Sequence, residues 1–248
     1  IRDFSISGKN GVFVSGGQLF ECDLVSGDYE IIPVKLISSF EETRKRFVPS
    51  SAFISSYAVS NSCEKTLITT RGKLYEMNTW DGGVQEICDS RIKRFTKVLA
   101  STKDTLYASV GVGDDGGDVI AVLESSSNSG EIVVGKLIKV ADGKIDDIVM
   151  SPCAKYLIFT TSRNALFFCD LKTYKIRLID KGDSVFQGVD ISPDSKWIVY
   201  SKCVGRKNEL WMSNVRNSSP VKLLKTINSD TSPRFTKDGK FVVFLGAG

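Results

Sequence analysis

Few residues in this chain could carry chemistry, and histidine is absent altogether. Without histidine, Ser-His-Asp triads, Cys-His dyads and nearly all common zinc sites are excluded. The six cysteines form no C-x-x-C pair, and several stand among apolar residues, where a free thiol behaves as a small hydrophobe. We therefore expect reduced thiols, a cytoplasmic protein, and no catalytic, cofactor-binding or metal-ligating residue in these 248 residues. The cysteines are Cys22, Cys63, Cys88, Cys153, Cys169 and Cys203.

A glycine-rich stretch, Gly111-Val112-Gly113-Asp114-Asp115-Gly116, matches the G-x-G-x-x-G pattern of dinucleotide-binding loops. That site requires a helix directly after the loop, because the backbone N–H groups of the helix bind the pyrophosphate. Here the β-forming residues 119–122 follow instead, and two aspartates would repel a phosphate. We predict a plain hairpin loop. The alternative is calcium on Asp114, Asp115 and Asp118, although the spacing differs from that of known calcium loops.

Two further motifs have a structural and a chemical interpretation. Ser62 and Lys65 match S-x-x-K, which some hydrolases use to activate serine, but they fall in a predicted turn rather than at a helix start. The basic clusters Arg44-Lys45-Arg46 and Arg91-Lys93-Arg94 are candidate anion contacts that lack interleaved aromatic residues. We expect a solvated turn and surface solubility, respectively. At the mouth of a central channel, such basic residues could also steer a peptide carboxylate.

These residues are embedded in a repeat: an apolar stretch, a Ser or Thr, a short polar turn and a second apolar stretch. The spacings between successive anchor residues are 53, 41, 50, 41 and 44, which fits the length of a four-stranded propeller blade. A second strand pair follows in each complete repeat, so two hairpins form one antiparallel blade. The anchors are Ser7, Ser60, Ser101, Ser151, Ser192 and Thr236.

The local pattern also predicts how the blades pack. The second strand of each repeat is nearly continuous in apolar residues, as in Trp197-Ile198-Val199-Tyr200, which is typical of a strand covered on both faces. Aromatic residues at equivalent strand positions are predicted to form the core between blades, with an exposed recognition patch as the alternative. They are Trp197, Trp211, Phe159, Phe167, Phe168, Phe241 and Phe244.

The repeat predicts an all-β fold, a β-propeller of about six repeats. Apolar residues make up 42% of the chain and the net charge is +4, so neither nucleic acid nor membrane is expected as a partner. We predict one β-propeller region over residues 1–248, part of a larger propeller region. The charged segment from Phe40 to Phe47 explains the longest spacing, which makes residues 38–52 the candidate junction between two propellers.

The motif Ser192-Pro193-Asp194-Ser195-Lys196-Trp197 resembles the repeat of TolB-like, prolyl-oligopeptidase-type and tricorn-protease propellers, with Ser195 in place of the usual turn glycine. The segments 1–20 and 68–75 are similar to blades of the tricorn protease family. The segment 47–53 resembles the join between that family's two propellers. By this resemblance, residues 1 to about 46 would be the last blade of the first propeller and the remainder the first blades of the second.

The resemblance implies a non-catalytic propeller portion of a tricorn-like cytosolic serine peptidase. Such a portion would gate or position peptides and support assembly, with peptides, other domains of the same polypeptide or further copies of the full-length protein as partners. No catalytic residue is carried over, because nothing here matches that family's catalytic region. Two alternatives stay open: a scaffold propeller that binds another protein without peptidase activity, and a periplasmic TolB-like module.

Overall fold

The computed structural model of the chain describes residues 2–15, 17–35, 37, 49–126, 130–217, 219–224 and 229–246. The chain divides into two compact units, Ile1–Val48 and Pro49–Gly248. Most of the candidate junction at 38–52, including the segment Phe40–Phe47, lies outside the described residues. After it comes a short 3-10 helix, Ser50–Phe53. No helix in the described ranges is both long and apolar enough to cross a bilayer.

The described residues form five four-stranded antiparallel sheets and one two-stranded sheet, in which each strand pairs with its sequence neighbour. We number the sheets as blades 1 to 6. Blade 1 is β1 Arg2–Ser7, β2 Asn10–Ser15, β3 Gln18–Asp23 and β4 Tyr29–Ile32. Blade 2 is β5 Ile54–Val59, β6 Lys65–Thr70, β7 Lys73–Asn78 and β8 Val84–Ile87. Blade 3 is β9 Ile92–Ala100, β10 Leu106–Gly113, β11 Asp118–Ser125 and β12 Ile132–Lys139. Blade 4 is β13 Ile145–Met150, β14 Tyr156–Thr161, β15 Ala165–Asp170 and β16 Ile176–Lys181. Blade 5 is β17 Val189–Ile191, β18 Trp197–Val204, β19 Lys207–Asn214 and β20 Val221–Lys222. Blade 6 is β21 Asp230–Phe235 and β22 Val242–Gly246.

Blade 1 makes up the first unit and has an aromatic cluster across its strands. Phe13 and Phe20 are cross-strand partners, and their rings stack with centroids 5.2 Å apart. Tyr29 meets the Phe20 ring edge-on at 5.9 Å. Such cross-strand aromatic pairs stabilise a sheet by packing beyond simple area burial.

In the second unit, the first strands of consecutive blades lie side by side: β5 against β9, β9 against β13, β13 against β17, and β17 against β21. The first strand of each blade is therefore the inner strand, and the fourth strand lies at the outer rim. This radial order confirms the all-β propeller fold predicted from the repeat.

Burial on both faces of the inner blade strands also agrees with the prediction. On β14, the side chains of Leu157 and Phe159 pack toward blade 3, whereas Ile158 between them packs toward blade 5. All three side chains are almost completely buried. Because the side chains of a strand alternate between faces, each blade contributes to two cores, and removing one blade would expose both of its neighbours' faces.

Candidate functional site

The turns between the first and second strands of the blades, here called the first turns, have a common hydrogen-bond pattern. In blades 2, 4, 5 and 6 the anchor hydroxyl accepts a hydrogen bond from the backbone N–H five residues later. The distances from the anchor oxygen are 3.0 Å for Ser60 and Lys65, 3.1 Å for Ser151 and Tyr156, 2.9 Å for Ser192 and Trp197, and 3.2 Å for Thr236 and Phe241. In these four blades, the hydroxyl of the repeat's Ser or Thr thus closes the turn.

The third residue after the anchor has a positive φ in the same four blades. It is Cys63 at 61°, Ala154 at 55°, Ser195 at 59° and Gly239 at 69°. This is the position at which the sequence motif usually has glycine, and only glycine adopts such backbone angles without strain. Ser195 therefore keeps the left-handed backbone conformation although its residue type departs from the motif.

Hydrogen bonds connect the first turns of neighbouring blades at three of the four seams in the second unit. Between blades 2 and 3, the Ser62 N–H donates to Asp104 Oδ1 at 3.0 Å. Between blades 3 and 4, Thr102 Oγ1 donates to the Pro152 carbonyl at 2.6 Å. Between blades 4 and 5, both contacts are made to Ser195.

The seam between blades 4 and 5 is closed by two hydrogen bonds to Ser195. The Cys153 N–H donates to Ser195 Oγ at 3.1 Å, and the Tyr156 hydroxyl donates to the Ser195 carbonyl oxygen. Burial raises the pKa of the Tyr156 hydroxyl, so the hydroxyl stays protonated and remains a donor at any physiological pH.

The seam between blades 5 and 6 differs. No hydrogen bond among the described residues joins its two first turns, although Pro193 packs close to Gly239. A cleft of about 440 Å³ lies there instead, lined by apolar side chains that include Trp197, Met212 and Phe241. Trp197 is 39% exposed and Phe241 67% exposed. These two predicted core aromatics are therefore not buried among the described residues, in which blade 6 has only two strands.

Two carboxylates stand at the edge of this cleft. Asp194 Oδ1 accepts from Ser192 Oγ at 2.6 Å, and this hydrogen bond is the main reason why the Asp194 pKa is lowered. Asp238 Oδ1 accepts from Thr236 Oγ1 at 2.5 Å, which lowers the Asp238 pKa in the same way. Both side chains are thus ionised at neutral pH.

Four other aromatic residues of the predicted core, Phe159, Phe167, Phe168 and Trp211, lie deeper, whereas Phe244 on β22 is half-buried. Phe159 is 1% exposed and its ring stacks on Phe167 with centroids 5.3 Å apart. The Arg177 guanidinium lies over the Phe168 ring, and the Lys202 ammonium lies 4.0 Å from the centre of the Trp211 ring. These four aromatic residues pack in the seams between blades, as predicted.

The basic cluster Arg91-Lys93-Arg94 lies at the opposite end of the blades from the first turns, where inner strand β9 begins. Arg91 is held by Asp89, with Nε–Oδ1 at 2.9 Å, and the Lys93 ammonium donates to the Asp114 carbonyl at 2.7 Å. Arg94 is exposed, and its stem lies against Gly72 of the neighbouring blade. The cluster Arg44-Lys45-Arg46 falls outside the described residues.

The inner strands contact one another through charged side chains. Lys97 on β9 donates to the carbonyl of Asp146 on β13, and its ammonium is 3.9 Å from Asp147 Oδ1. Between blades 5 and 6, Asp190 Oδ2 accepts from the Phe235 N–H at 2.7 Å. Arg234 Nη1 donates to the Val189 carbonyl at 2.5 Å. Charges of both signs therefore lie on the strands nearest the propeller axis.

The glycine-rich loop is a hairpin loop between β10 and β11, as predicted, although the two strands extend further and leave only residues 114–117 between them. Asp115 pairs with Lys139 at 2.9 Å. Asp118 Oδ2 instead accepts from the Ile145 N–H at 2.7 Å. The three aspartates do not converge, and within the described ranges no group of three His, Cys, Asp or Glu side chains could hold a metal.

The S-x-x-K motif lies in the first turn of blade 2. Ser62 is exposed, whereas the Lys65 ammonium pairs with Glu76 and donates to the Gly130 carbonyl at 2.5 Å. Glu76 in turn accepts from the Ile132 N–H at 3.1 Å. Lys65 therefore joins blade 2 to blade 3, and this engagement suits a structural role rather than the activation of serine. Within the described residues all six cysteines are free thiols.

No protein-family model matches the chain. It is 25% identical over 248 residues to a protein of Sulfurisphaera tokodaii described as a tricorn-like protease C-terminal subunit, covering 99% of this chain and 28% of that protein. It is 21% identical over 247 residues to a tricorn protease homolog of Saccharolobus solfataricus, covering 99% of this chain and 22% of that protein. The chain thus spans only about a quarter of the length of these relatives.

Solved structures give the same assignment of the fold. A crystal structure of the tricorn protease superimposes with a TM-score of 0.70 at 18% identity, over 96% of this chain and 23% of that one. A structure described as TolB from Agrobacterium tumefaciens superimposes with a TM-score of 0.60 at 20% identity, over 78% of this chain and 70% of that one. Over nearly its whole length the chain is similar to tricorn-like proteases, and its fold is that of a β-propeller, as its sequence motifs predicted.

Proposed function

We propose that this chain is the non-catalytic propeller portion of a tricorn-like peptidase and that it positions and gates short peptides. The observation that carries the proposal is the similarity to tricorn-like proteases over 99% of the chain. Peptidase chemistry would then belong to other regions of the parent polypeptide. The cytoplasmic location and the junction of two propellers near residues 38–52 stay predictions.

The gating role is supported by the side chains on the inner strands. Arg94 is exposed at the start of β9 and has no carboxylate partner within the described residues, whereas Lys97, Asp147 and Asp190 follow along the inner strands. An unpaired guanidinium at this end of an inner strand is suited to attract the C-terminal carboxylate of a peptide. The charges of both signs further along the inner strands complement the amide and ammonium groups in the rest of the peptide.

Fluorescence anisotropy with labelled peptides tests this proposal. A peptide with a free C-terminal carboxylate is expected to bind more tightly than its amidated counterpart, and Arg94→Glu should remove that difference. Lys172→Glu changes an exposed lysine in the turn between β15 and β16 by the same two charge units and should have no effect. Equal binding of the acid and the amide would contradict the steering role, and absence of binding by any peptide would contradict the proposal as a whole.

A scaffold function is the second candidate, and exposed aliphatic side chains on the outer strands favour it. Val84 on β8 is 63% exposed, Leu178 on β16 49% and Val221 on β20 59%. Apolar side chains repeated along a rim indicate a surface that contacts another protein. That protein can be a second copy of the full-length protein. Sedimentation of the chain over a range of concentrations tests for self-association, which Leu178→Asp should then abolish. A monomer at all concentrations would contradict self-association.

A further inference from the structure

Three basic side chains lie at the outer end of the seam between blades 4 and 5, on the side of the first turns. Lys155 is in the first turn of blade 4, Lys175 is in the turn between β15 and β16, and Arg216 is in the turn between β19 and β20. All three side chains are exposed, and none forms an ion pair with another described residue. These three residues are here called the rim cluster.

In blade 4, backbone hydrogen bonds hold both lysines of the rim cluster beside one hairpin. The Leu171 N–H donates to the Lys155 carbonyl oxygen at 2.9 Å, and the Asp170 N–H donates to the Lys175 carbonyl oxygen at 3.1 Å. The Asp170 carboxylate is engaged within the hairpin, because its Oδ1 accepts hydrogen bonds of 2.8 Å from the backbone N–H groups two and three residues later. The hairpin therefore presents an excess of positive charge to solvent.

Arg177 connects this hairpin with blade 5. Its Nη2 donates to the Val215 carbonyl oxygen at 2.6 Å, so the turn that carries Arg216 lies directly across the seam. Lys196 is close by, because its carbonyl oxygen accepts from the Val215 N–H at 2.9 Å, but its ammonium is paired with Asp194 and adds no net charge. Blades 4 and 5 each have four described strands, so both sides of the seam are present. The rim cluster is thus one continuous, positively charged surface.

The edge of β16 lies next to the rim cluster. β16 is the outermost strand of blade 4 and pairs only with β15 among the described residues. Hydrogen-bonded positions alternate along an antiparallel pair. Because the Lys175 carbonyl bonds toward β15, the N–H and C=O groups of Ile176 and Leu178 face away from the sheet. Both side chains are exposed, so an extended segment can add here as a further strand.

Unpaired cations beside an open strand edge complement a polypeptide rich in carboxylates. Carboxylates form charge-assisted hydrogen bonds with lysine and bidentate pairs with arginine. A nucleic acid would also meet the charges, but it would leave the exposed side chains of Ile176 and Leu178 without an apolar partner. The surface therefore favours a protein segment in which acidic and apolar residues alternate.

We propose that the outer end of the seam between blades 4 and 5 docks an extended acidic segment of a partner protein. The segment adds to β16 as a further strand and pairs its carboxylates with the rim cluster. The inference rests on the scaffold function considered above, for which it names the chemistry of the partner, and it does not depend on the gating of peptides.

Fluorescence anisotropy with a labelled peptide of alternating glutamate and valine, blocked at both ends, tests the inference. It should bind about ten-fold more tightly than the same peptide with glutamine in place of glutamate. The double variant Lys175→Glu, Arg216→Glu should lose this preference. The matched control is Lys144→Glu, Arg206→Glu, which reverses one exposed lysine and one exposed arginine at the opposite end of the same two blades and should bind like the unmodified chain.

Two further peptides test the strand addition, one N-methylated at every valine and the other at every glutamate. One of them should fail to bind, because one set of N–H groups must face β16. Equal binding of both to the unmodified chain would overturn the inference. So would equal binding of the glutamate and glutamine peptides, retention of the preference in the Lys175→Glu, Arg216→Glu variant, or equally tight binding of an oligonucleotide of the same charge.

The scaffold function fails on a different measurement. Self-association in sedimentation without binding of the acidic peptide would overturn this inference alone, whereas absence of both would overturn the inference and the scaffold function together. Circular dichroism in the far and near ultraviolet shows that each variant is folded when it is compared.

Discussion

The carboxylate of Asp190 on the inner strand of blade 5 accepts a hydrogen bond of 2.7 Å from the backbone N–H of Phe235 on the inner strand of blade 6. Inner strands have no partner strand on the axis side, so their N–H groups depend on neighbouring blades or water. Between blades 2 and 3, Ser56 Oγ likewise accepts a hydrogen bond of 3.2 Å from the Val98 N–H. Side chains of one blade thus complete the hydrogen bonding of the next.

Replacement of Asp190 by alanine should therefore weaken the attachment of blade 6. The half-buried N–H of Phe235 would lose its acceptor, and we expect a loss of about 1–3 kcal/mol in the free energy of unfolding. Urea denaturation followed by tryptophan fluorescence measures this loss. Asp183→Ala removes an exposed carboxylate nearby and should change stability by less than about 0.5 kcal/mol. Equal effects of the two substitutions would contradict the role of Asp190.

Removal of the Tyr156 hydroxyl should weaken the seam between blades 4 and 5. Tyr156→Phe leaves the Ser195 carbonyl without its donor, at an expected cost of about 1 kcal/mol. Thermal unfolding provides the measurement. Tyr57→Phe is the matched control, because the Tyr57 side chain is 69% exposed and should tolerate the same change.

Replacement of Cys63 by glycine should stabilise the chain. Cys63 is exposed and has a φ of 61°, so the substitution relieves left-handed strain at little packing cost. Glycine also raises the conformational entropy of the unfolded chain, which offsets part of the relieved strain. The net gain in the free energy of unfolding should be about 0.5–1 kcal/mol. Cys88→Gly tests the explanation, because Cys88 is equally exposed but has no positive φ and should be destabilised instead. Destabilisation of Cys63→Gly would show that the strain is absent.

A side chain at Gly188 should disrupt the contact between blades 5 and 6. Gly188 has a φ of 91°, and a Cβ placed there would lie 2.9 Å from the Ser232 Cα. Gly205 also has a positive φ, but a Cβ at that position would meet no neighbouring atom within 4 Å. Gly188→Ala should therefore cost more stability than Gly205→Ala, with the difference in unfolding midpoint reporting the close contact alone.

The two turn aspartates predict a dependence on pH. Hydrogen bonds lower the pKa values of Asp194 and Asp238 below the unfolded value of about 3.9, so their contribution to stability is present above that pH and is lost as the pH falls through the folded-state pKa. Thermal unfolding of the chain and of Asp238→Asn should thus differ at pH 7 and converge in strong acid. A difference that persists unchanged at pH 2 would contradict ionisation as its cause.

The strands and the first turns could be predicted from the sequence because both arise from local patterns. Apolar runs of four residues and an anchor hydroxyl five residues before its donor lie within single repeats. Contacts such as Asp190 with Phe235 join residues 45 positions apart, and no spacing in a single sequence specifies them. The exposure of Trp197 and Phe241 likewise depends on the neighbouring blade rather than on their own strands.

The central claim, that this chain handles peptides without cleaving them, is tested most directly by one mass-spectrometric measurement. A defined pool of short peptides is incubated with the chain, and the protein-bound fraction is separated by rapid size exclusion and analysed. The account predicts that intact peptides are recovered with the protein and that no cleavage products form. Recovery of every peptide in the free fraction, or formation of cleavage products by the purified chain, would contradict it.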